Sequence, residues 1–164
     1  MEHGDLMSPT RVVPEDIRLR DAGPGDLPAV ARLLAVANLV PIDGTAQFGP
    51  QYGVAEGPGG DIIGVAGYER YGADILLRSV AVAEEWRSAG IGAALTADRL
   101  AHARNTGCST AYLLTDTAQL YWLRHGFEAI ERSAAPVEIK QSTEWGHACP
   151  QSAVAMRRRL TQSG

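Results

Sequence analysis

The chain has 164 residues, 45% of them hydrophobic, and a formal net charge of -4. Its length and composition are typical of one globular domain with a single core. The acidic balance argues against nucleic-acid binding, which needs a basic surface, and no apolar run is long enough to span a membrane. The two cysteines, Cys108 and Cys149, form no CxxC pair and fit reduced thiols. These features predict a cytoplasmic protein with a flexible leader over residues 1–16 and one domain over residues 17–164.

Hydrophobic spacing and turn residues predict the elements of this domain in chain order. A strand over residues 17–22 comes first, and the helix that follows begins near Asp26, with Pro28 in its first turn. The same signals then predict three strands at residues 52–57, 61–72 and 73–82, a helix at 91–105, a strand at 109–115, a short helix within 116–127 and a strand at 127–132. A long loop over residues 133–151 and a last strand over 152–160 follow. This order predicts an α/β domain with a mixed sheet.

The stretch EWRSAGIGAAL, residues 85–95, joins a predicted strand to a predicted helix and contains Gly90 and Gly92. The first N–H groups of a helix lack partners inside it and lie at the positive end of its dipole. Small residues leave these groups uncovered, so that a phosphate can approach, and Arg87 adds a cation. Leu95 replaces the third small residue of a dinucleotide fingerprint, and the Lys-Ser/Thr pair of a P-loop is missing. The glycines alone also fit an ordinary strand–helix junction.

Two segments around this loop resemble motifs of one superfamily. Arg87-x-x-Gly90-x-Gly92, after the strand LLRSVAV, resembles the Arg/Gln-x-x-Gly-x-Gly/Ala motif of the GNAT superfamily of acyl-CoA N-acyltransferases. The pattern A-x-x-Tyr-Trp-x-x-x-Gly-Phe at residues 118–127 resembles the second cofactor segment of that superfamily. The resemblance implies a GNAT-like mixed, mostly antiparallel sheet flanked by helices, an N-acetyltransferase activity, and acetyl-CoA as the cosubstrate.

The same resemblance implies where acetyl-CoA is held. Its pyrophosphate would lie on the backbone amides of the glycine loop, and its pantetheine arm would pair with the edge of the preceding strand. Thr115 stands where superfamily members commonly carry an asparagine, and it offers a hydroxyl instead of an amide. The implied cofactor-binding residues are Val80, Ala81, Val82, Arg87, Ser88, Ala89, Gly90, Ile91, Gly92, Ala93 and Thr115. No two histidines have metal-ligand spacing, so no metal is expected.

Less generic pieces of the sequence resemble one subgroup of that superfamily. AGYERYG, LLRSVAV, YLLTDTA and CPQSAVAM are similar to segments of the arsenic-resistance N-acetyltransferases. The resemblance implies a small-molecule amine as substrate, and in particular an anionic one such as an organoarsenical or a phosphinothricin-like amino acid. It also allows a homodimer. Two alternatives stay open: another small metabolite or an aminoglycoside-like amine as the acceptor, or a non-catalytic acyl-CoA-binding module.

Direct attack of an amine on a thioester needs a base that takes a proton from the ammonium. Glu69, near the end of a predicted strand, is the first candidate, and the alternative is a solvated strand-end glutamate. Glu144, in the long loop, is the second candidate and a predicted substrate contact. The general acid is open, because Trp122 occupies the position where many superfamily members carry a tyrosine. Tyr121 points about 100° away around the helix, so Tyr121, a water molecule and no acid at all are the alternatives, with Trp122 expected in the core.

Arg78 is a charge inside an apolar strand, and a buried arginine is costly unless it is paired. Strict alternation places Ile75, Leu77, Ser79 and Ala81 on one face of the strand and Leu76, Arg78, Val80 and Val82 on the other. The functional interpretation is that Arg78 binds an anionic group of the substrate through bidentate hydrogen bonds. The structural alternative is a salt bridge to Glu69 or Asp74. Pairing with Glu69 would weaken the assignment of Glu69 as base, because a paired carboxylate is less basic.

Overall fold

One sheet organises the part of the chain that the computed structural model describes, residues 13–42, 48–148 and 152–160. Seven strands form it in the order β1-β2-β3-β4-β5-β7-β6. The strands are β1 (Arg18–Asp21), β2 (Gly53–Glu56), β3 (Ile62–Tyr71), β4 (Asp74–Val82), β5 (Thr110–Thr115), β6 (Glu128–Ile130) and β7 (Val154–Arg159). Among these pairs β4 and β5 run parallel and the rest run antiparallel. The predicted mixed, mostly antiparallel sheet is confirmed.

Helices cover both sides of this sheet. In the described residues the α-helices are α1 (Leu27–Val36), α2 (Ile91–Asn105), α3 (Gln119–Arg124) and α4 (Val137–Lys140). Short 3-10 turns cover Pro24–Asp26, Glu84–Trp86 and Arg132–Ala134, and a π-helical turn covers Glu144–Ala148. Within the same residues, no helix combines the length and the hydropathy that a bilayer crossing requires.

The segment between β6 and β7 is more helical than the long loop that the sequence predicts over residues 133–151. Helix α4 and the π-helical turn both lie within it. Ile139 and Trp145 are buried in the same cluster as Leu76 of β4, so burial of their apolar side chains holds the segment against the sheet. The composition of the segment does not reveal this anchoring. Cys149 lies outside the described residues, as do residues 1–12 of the predicted leader.

The two faces of the sheet are named here after the helices that cover them. Helices α2 and α3 cover the α2 face, where Ile91 and Trp122 are buried. Helices α1 and α4 cover the α1 face, where Val30 and Ile139 are buried. Each face therefore has its own apolar packing, and a side chain of a central strand is buried whichever way it points.

Strand β4 contains a β-bulge at Ser79. Arg78 pairs with Gly67 of β3, but the next ladder pair joins Ala81 to Val65. Two residues of β4 therefore oppose a single residue of β3. Ser79 has a φ of 63°, a value that non-glycine residues adopt rarely and at a cost in strain. A bulge of this kind bends the strand and redirects the side chains that follow it.

The bulge reverses the side-chain alternation in the second half of β4. Up to Arg78 the predicted faces are correct, with Leu77 on the α2 face. Beyond the bulge, Val80 and Val82 pack on the α2 face and Ala81 on the α1 face. The prediction that Val80 and Val82 share a face with Arg78 is therefore wrong. An apolar strand that is buried on both sides gives no sequence signal for one inserted residue.

Strands β4 and β5 separate after a short stretch of pairing. Their parallel pairs are Asp74–Thr110, Ile75–Ala111 and Leu76–Tyr112. β4 continues to Val82 and β5 to Thr115, yet no further ladder pair joins the two strands among the described residues. β5 stays paired on its other side with β7 as far as Thr115. A gap in the sheet therefore opens beside the second half of β4, and the bulge at Ser79 lies at its start.

We expect Gly67→Ala to destabilise the fold. A Cβ on Gly67 would overlap the ring of Tyr52, which is fully buried and cannot move away cheaply. The expected loss of unfolding free energy is about 1–3 kcal/mol, the usual cost of overpacking, measured by urea denaturation. Gly59→Ala is the matched control, since a Cβ there meets nothing within 4 Å. Equal stability of the two variants would contradict the packing of Tyr52 on Gly67.

Candidate active site

The loop that follows β4 ends in a left-handed turn that exposes the start of helix α2. Gly90, the residue before the helix, has a φ of 83°, and Ser88 has a φ of 70°. The first backbone hydrogen bond of the helix runs from the Ala94 N–H to the Gly90 carbonyl at 3.0 Å. The N–H groups of Ile91 and Gly92 come before this bond and therefore point out of the helix end, where the dipole favours an anion.

Arg87 fastens this loop to the end of β4. Its Nε donates a hydrogen bond to the Val82 carbonyl at 3.0 Å, while the rest of its side chain is exposed. The strand edge next to the gap, the exposed helix start and a cation thus form one continuous surface. The binding of a phosphate by Arg87, Gly90 and Gly92 stays a prediction.

Tyr121 and Trp122 point in different directions from helix α3. Trp122 is buried in the core and meets the ring of Phe127 edge to face at 5.6 Å, so its expected packing role is confirmed. The Tyr121 hydroxyl lies at the start of α2, 3.6 Å from where a Cβ on Gly92 would be. Burial raises the pKa of Tyr121, so its hydroxyl keeps its proton. Tyr121, and not Trp122, presents a proton donor to the glycine loop.

Thr115, the last residue of β5, shapes the entry to helix α3. Its Oγ1 accepts a hydrogen bond from the Ala118 N–H at 3.1 Å, and the residue is buried. This bond ties the end of β5 to Ala118, the residue just before the helix. The hydrogen of the Thr115 hydroxyl is still available as a donor.

A buried charge cluster, consisting of Glu69, Tyr71, Arg78 and Glu144, lies on the α1 face beside the gap. Arg78 donates from Nη1 to Oε2 of Glu69 at 2.6 Å. The Tyr71 hydroxyl donates to the other oxygen of Glu69, Oε1, at 2.5 Å. Burial, and then this bond to the carboxylate, raise the pKa of Tyr71. Both oxygens of Glu69 are therefore engaged within the protein.

Most of the donors of Arg78 are also engaged. Nη2 donates to the carbonyls of Val40 at 3.2 Å and Pro41 at 3.0 Å, and Nε donates to the Ser79 hydroxyl at 3.0 Å. With Nη1 bound to Glu69, one of the five N–H groups is left. The structural alternative of the sequence analysis, a salt bridge from Arg78 to Glu69, is what the structure shows. A bidentate clamp on a substrate anion would require Arg78 to give up one of these partners.

Glu144 reaches the cluster from the π-helical turn. Its Oε1 lies 3.4 Å from Nε of Arg78, and the residue is only 7% exposed. Burial, with a smaller contribution from the charge of Glu69, raises the pKa of Glu144 to about 7, although Arg78 acts in the opposite direction. The turn that the sequence treats as loop thus places a carboxyl with a strongly raised pKa beside the strand gap.

Tyr52 completes the surroundings of the charge cluster and was not found from the sequence. Its ring lies over Gly67, the ladder partner of Arg78, and its hydroxyl has no partner within hydrogen-bonding geometry in the described part of the chain. The Ser79 hydroxyl lies close enough to influence its pKa, which burial raises. Tyr71 could have been found, because it lies two residues after Glu69 on the same strand face. Tyr52 comes from a distant turn and leaves no such signal.

Comparison with known proteins identifies the fold. Residues 49–129 match the family model described as an acetyltransferase (GNAT) domain. N-acetylglutamate synthase from Neisseria gonorrhoeae, solved with coenzyme A and N-acetyl-glutamate, is similar to 89% of this chain with a TM-score of 0.75 and 19% identity. The chain spans 35% of that protein. The chain matches no curated protein sequence.

Two further solved structures cover this chain more evenly. Rv2747 from Mycobacterium tuberculosis, in complex with CoA, has a TM-score of 0.70 and 22% identity, over 88% of this chain and 99% of its own. A GNAT family N-acetyltransferase from Escherichia coli, YhbS, also in complex with CoA, has a TM-score of 0.59 and 19% identity, over 88% of this chain and 82% of its own. The fold is the mixed α/β GNAT fold, and the family model covers just under half of the chain.

We expect the stability of the protein to fall as Glu144 ionises. The pKa of Glu144 is about 7 in the folded protein and 4.5 ordinarily. The folded state therefore begins to lose stability as the pH rises past about 4.5, and the loss is complete once the pH is above 7. Between pH 5 and pH 8 the free energy of unfolding of the wild type should fall by up to about 3 kcal/mol. That of Glu144→Gln should not show this fall. Urea denaturation across this range measures the difference.

Glu138→Gln, an exposed glutamate in the same segment, is the control and should follow the wild type. Parallel stability curves for the wild type and Glu144→Gln would mean that Glu144 titrates as an ordinary glutamate.

Proposed function

We propose that the protein is an acetyl-CoA-dependent N-acetyltransferase that acetylates the amine of a small molecule. The observation that carries this proposal is the continuity of three features. The unpaired edge of β4, the glycine loop and the exposed start of α2 follow one another without interruption along residues 77–93. An unpaired strand edge suits the amide groups of a pantetheine arm, and a helix start suits a pyrophosphate.

The proposed position of the cofactor follows from this order. The pyrophosphate lies on the amides of residues 88–93, beside Arg87, and the pantetheine arm runs along Val80–Val82. The thioester then reaches the gap between β4 and β5. The CoA complexes of the structural neighbours support this donor.

Tyr121 is the proposed proton donor to the departing thiolate. Its hydroxyl is at the start of α2, where the arm must pass, and its raised pKa keeps it protonated. The tyrosine common in the superfamily is replaced by Trp122, but the neighbouring residue supplies the hydroxyl from a different helical position. A thiolate is also a fair leaving group without an acid, so we expect Tyr121→Phe to reduce turnover rather than abolish it.

The proposed acceptor is a small, amino-acid-like amine with an anionic group, and phosphinothricin and its arsenic analogues are the first candidates. Two observations support this: the sequence resembles the arsenic-resistance subgroup, and the Neisseria neighbour was solved with N-acetyl-glutamate, an acetylated acidic amino acid. The buried carboxyl of Glu144 beside the gap also suits an ammonium. Because Arg78 is engaged within the protein, the anionic group is proposed to contact at most its remaining N–H. A homodimer and a cytoplasmic location remain predictions from the sequence.

Arg87→Glu should weaken the binding of CoA. The substitution places a carboxylate next to the proposed pyrophosphate and removes the cation, so we expect the dissociation constant to rise at least tenfold, about 1.4 kcal/mol. Isothermal titration calorimetry measures it. Arg32→Glu, exposed on the helix that covers the α1 face, makes the same charge change outside the loop and should leave the affinity unchanged. If both variants bind CoA with equal affinity, the loop is not part of the cofactor site.

The acceptor class is tested by the release of free CoA thiol from acetyl-CoA. The panel contains phosphinothricin, an arsinothricin-like amino acid, glutamate, a neutral amino-acid amide and an aminoglycoside. We expect kcat/KM to be highest for the anionic amino acids, because the proposed acceptor carries an anionic group. Higher values for the amide or the aminoglycoside would refute the anionic acceptor. Binding of acetyl-CoA with no thiol release from any amine would favour the non-catalytic binder.

A further inference from the structure

The charge cluster contains two carboxylates and one guanidinium, and the two carboxylates differ in how they are engaged. Glu69 has one oxygen bound to Tyr71 at 2.5 Å and the other bound to Arg78 at 2.6 Å. Glu144 contacts Arg78 only at 3.4 Å, through an Nε whose hydrogen is directed to the Ser79 hydroxyl. Glu144 is therefore the member with accepting capacity to spare.

The location of Glu144 favours a contact with an acceptor that enters from the α1 face. Arg78, which it contacts, is two residues beyond Leu76, the last residue of β4 that pairs with β5. The π-helical turn that carries Glu144 is held against the sheet by Trp145, which is buried among residues of β4, β5 and β7. The carboxyl is thus fixed beside the opening of the sheet by its own neighbour in sequence.

We propose that Glu144, rather than Glu69, is the base that accepts a proton from the ammonium of the acceptor. This inference rests on the proposed acetyl transfer. In the step, an N–H bond of the ammonium breaks, its electron pair stays on nitrogen, and the proton forms an O–H bond with Glu144. The neutral amine then attacks the thioester carbon, the C–N bond forms and the C–S bond breaks. Tyr121 gives its proton to the thiolate, the second amine proton replaces the one that Tyr121 has given up, and Glu144 returns its proton to solvent.

The groups that face Glu144 explain why it suits this role. Arg78 of β4 stabilises its charge, Glu69 of β3 opposes it, and Tyr52 and Tyr71 are neutral hydroxyls at the same cluster. Burial is the largest influence and brings the pKa to about 7. A base of this strength is largely ionised just above neutral pH and still takes up a proton readily. Glu69 and Tyr71 act as positioning residues that hold Arg78 in place.

The test compares Glu144→Gln with Glu138→Gln, an exposed glutamate of the same segment. We expect Glu144→Gln to lower kcat/KM for the best amine by 10²–10⁴-fold, the usual range for loss of a general base. Its dissociation constant for acetyl-CoA should stay within twofold of the wild type. In the wild type, kcat/KM should fall at acid pH with an apparent pKa near 7. The residual activity of Glu144→Gln should not show this fall. Glu138→Gln should keep both the rate and the pH profile.

The outcomes separate this inference from the proposed function. A wild type that binds acetyl-CoA but acetylates no amine refutes the proposed function itself. A wild type that turns over, with a Glu144→Gln variant that keeps its rate within threefold or keeps the acid limb of the profile, refutes Glu144 alone. If Glu144→Gln does not fold, Glu144→Asp takes its place. A folded Glu144→Asp variant that binds acetyl-CoA should be slower than the wild type, and its kcat/KM should still fall at acid pH. Full activity of the Asp variant with no acid limb would overturn the proposal.

Discussion

The bulge at Ser79 is the constraint on which the rest of the site depends. By inserting one residue into β4, it leaves Arg78 on the α1 face and turns Val80 to the α2 face. It also lies where β4 stops pairing with β5, so that the strand edge becomes available to a ligand. The last ladder pair between β4 and β5 among the described residues, Leu76–Tyr112, comes three residues before the bulge. The positive φ of Ser79 is the strain that accompanies this opening.

The buried charge cluster is retained at a cost. Burying ions is expensive even when they are paired, and replacing such pairs by apolar residues is often neutral or stabilising. Here a second carboxylate, Glu144, is buried beside the Arg78–Glu69 pair, which raises the cost further. The main-chain carbonyls of Val40 and Pro41 reduce this cost by accepting hydrogen bonds from Nη2 of Arg78. Such an arrangement is better explained by chemistry than by stability, since sites of function commonly sacrifice stability.

The sequence predicts local features of this fold well and long-range ones poorly. The glycine loop, helix α2 and the packing of Trp122 follow from spacing and propensity within a few residues. The bulge at Ser79 could not be predicted, because β4 is apolar on both faces and any register looks equally good. Glu144 lay in a predicted loop, since the helical turn around it depends on burying Trp145 against a distant strand. The engagement of Arg78 depends on carbonyls 37 and 38 residues away, which no motif encodes.

In the proposed reaction the two substrates approach the gap from opposite faces of the sheet. The start of α2 and the Tyr121 hydroxyl approach the gap from the α2 face, whereas Glu144 and Arg78 approach it from the α1 face. Under the proposed mechanism, an amine that loses its proton on the α1 face meets the thioester carbon in the gap, and the thiolate leaves on the α2 face. This geometry fits direct transfer within a ternary complex. The thiol of Cys108, buried in the core with Tyr68 and Leu113, is in no position to carry the acetyl group in a covalent intermediate.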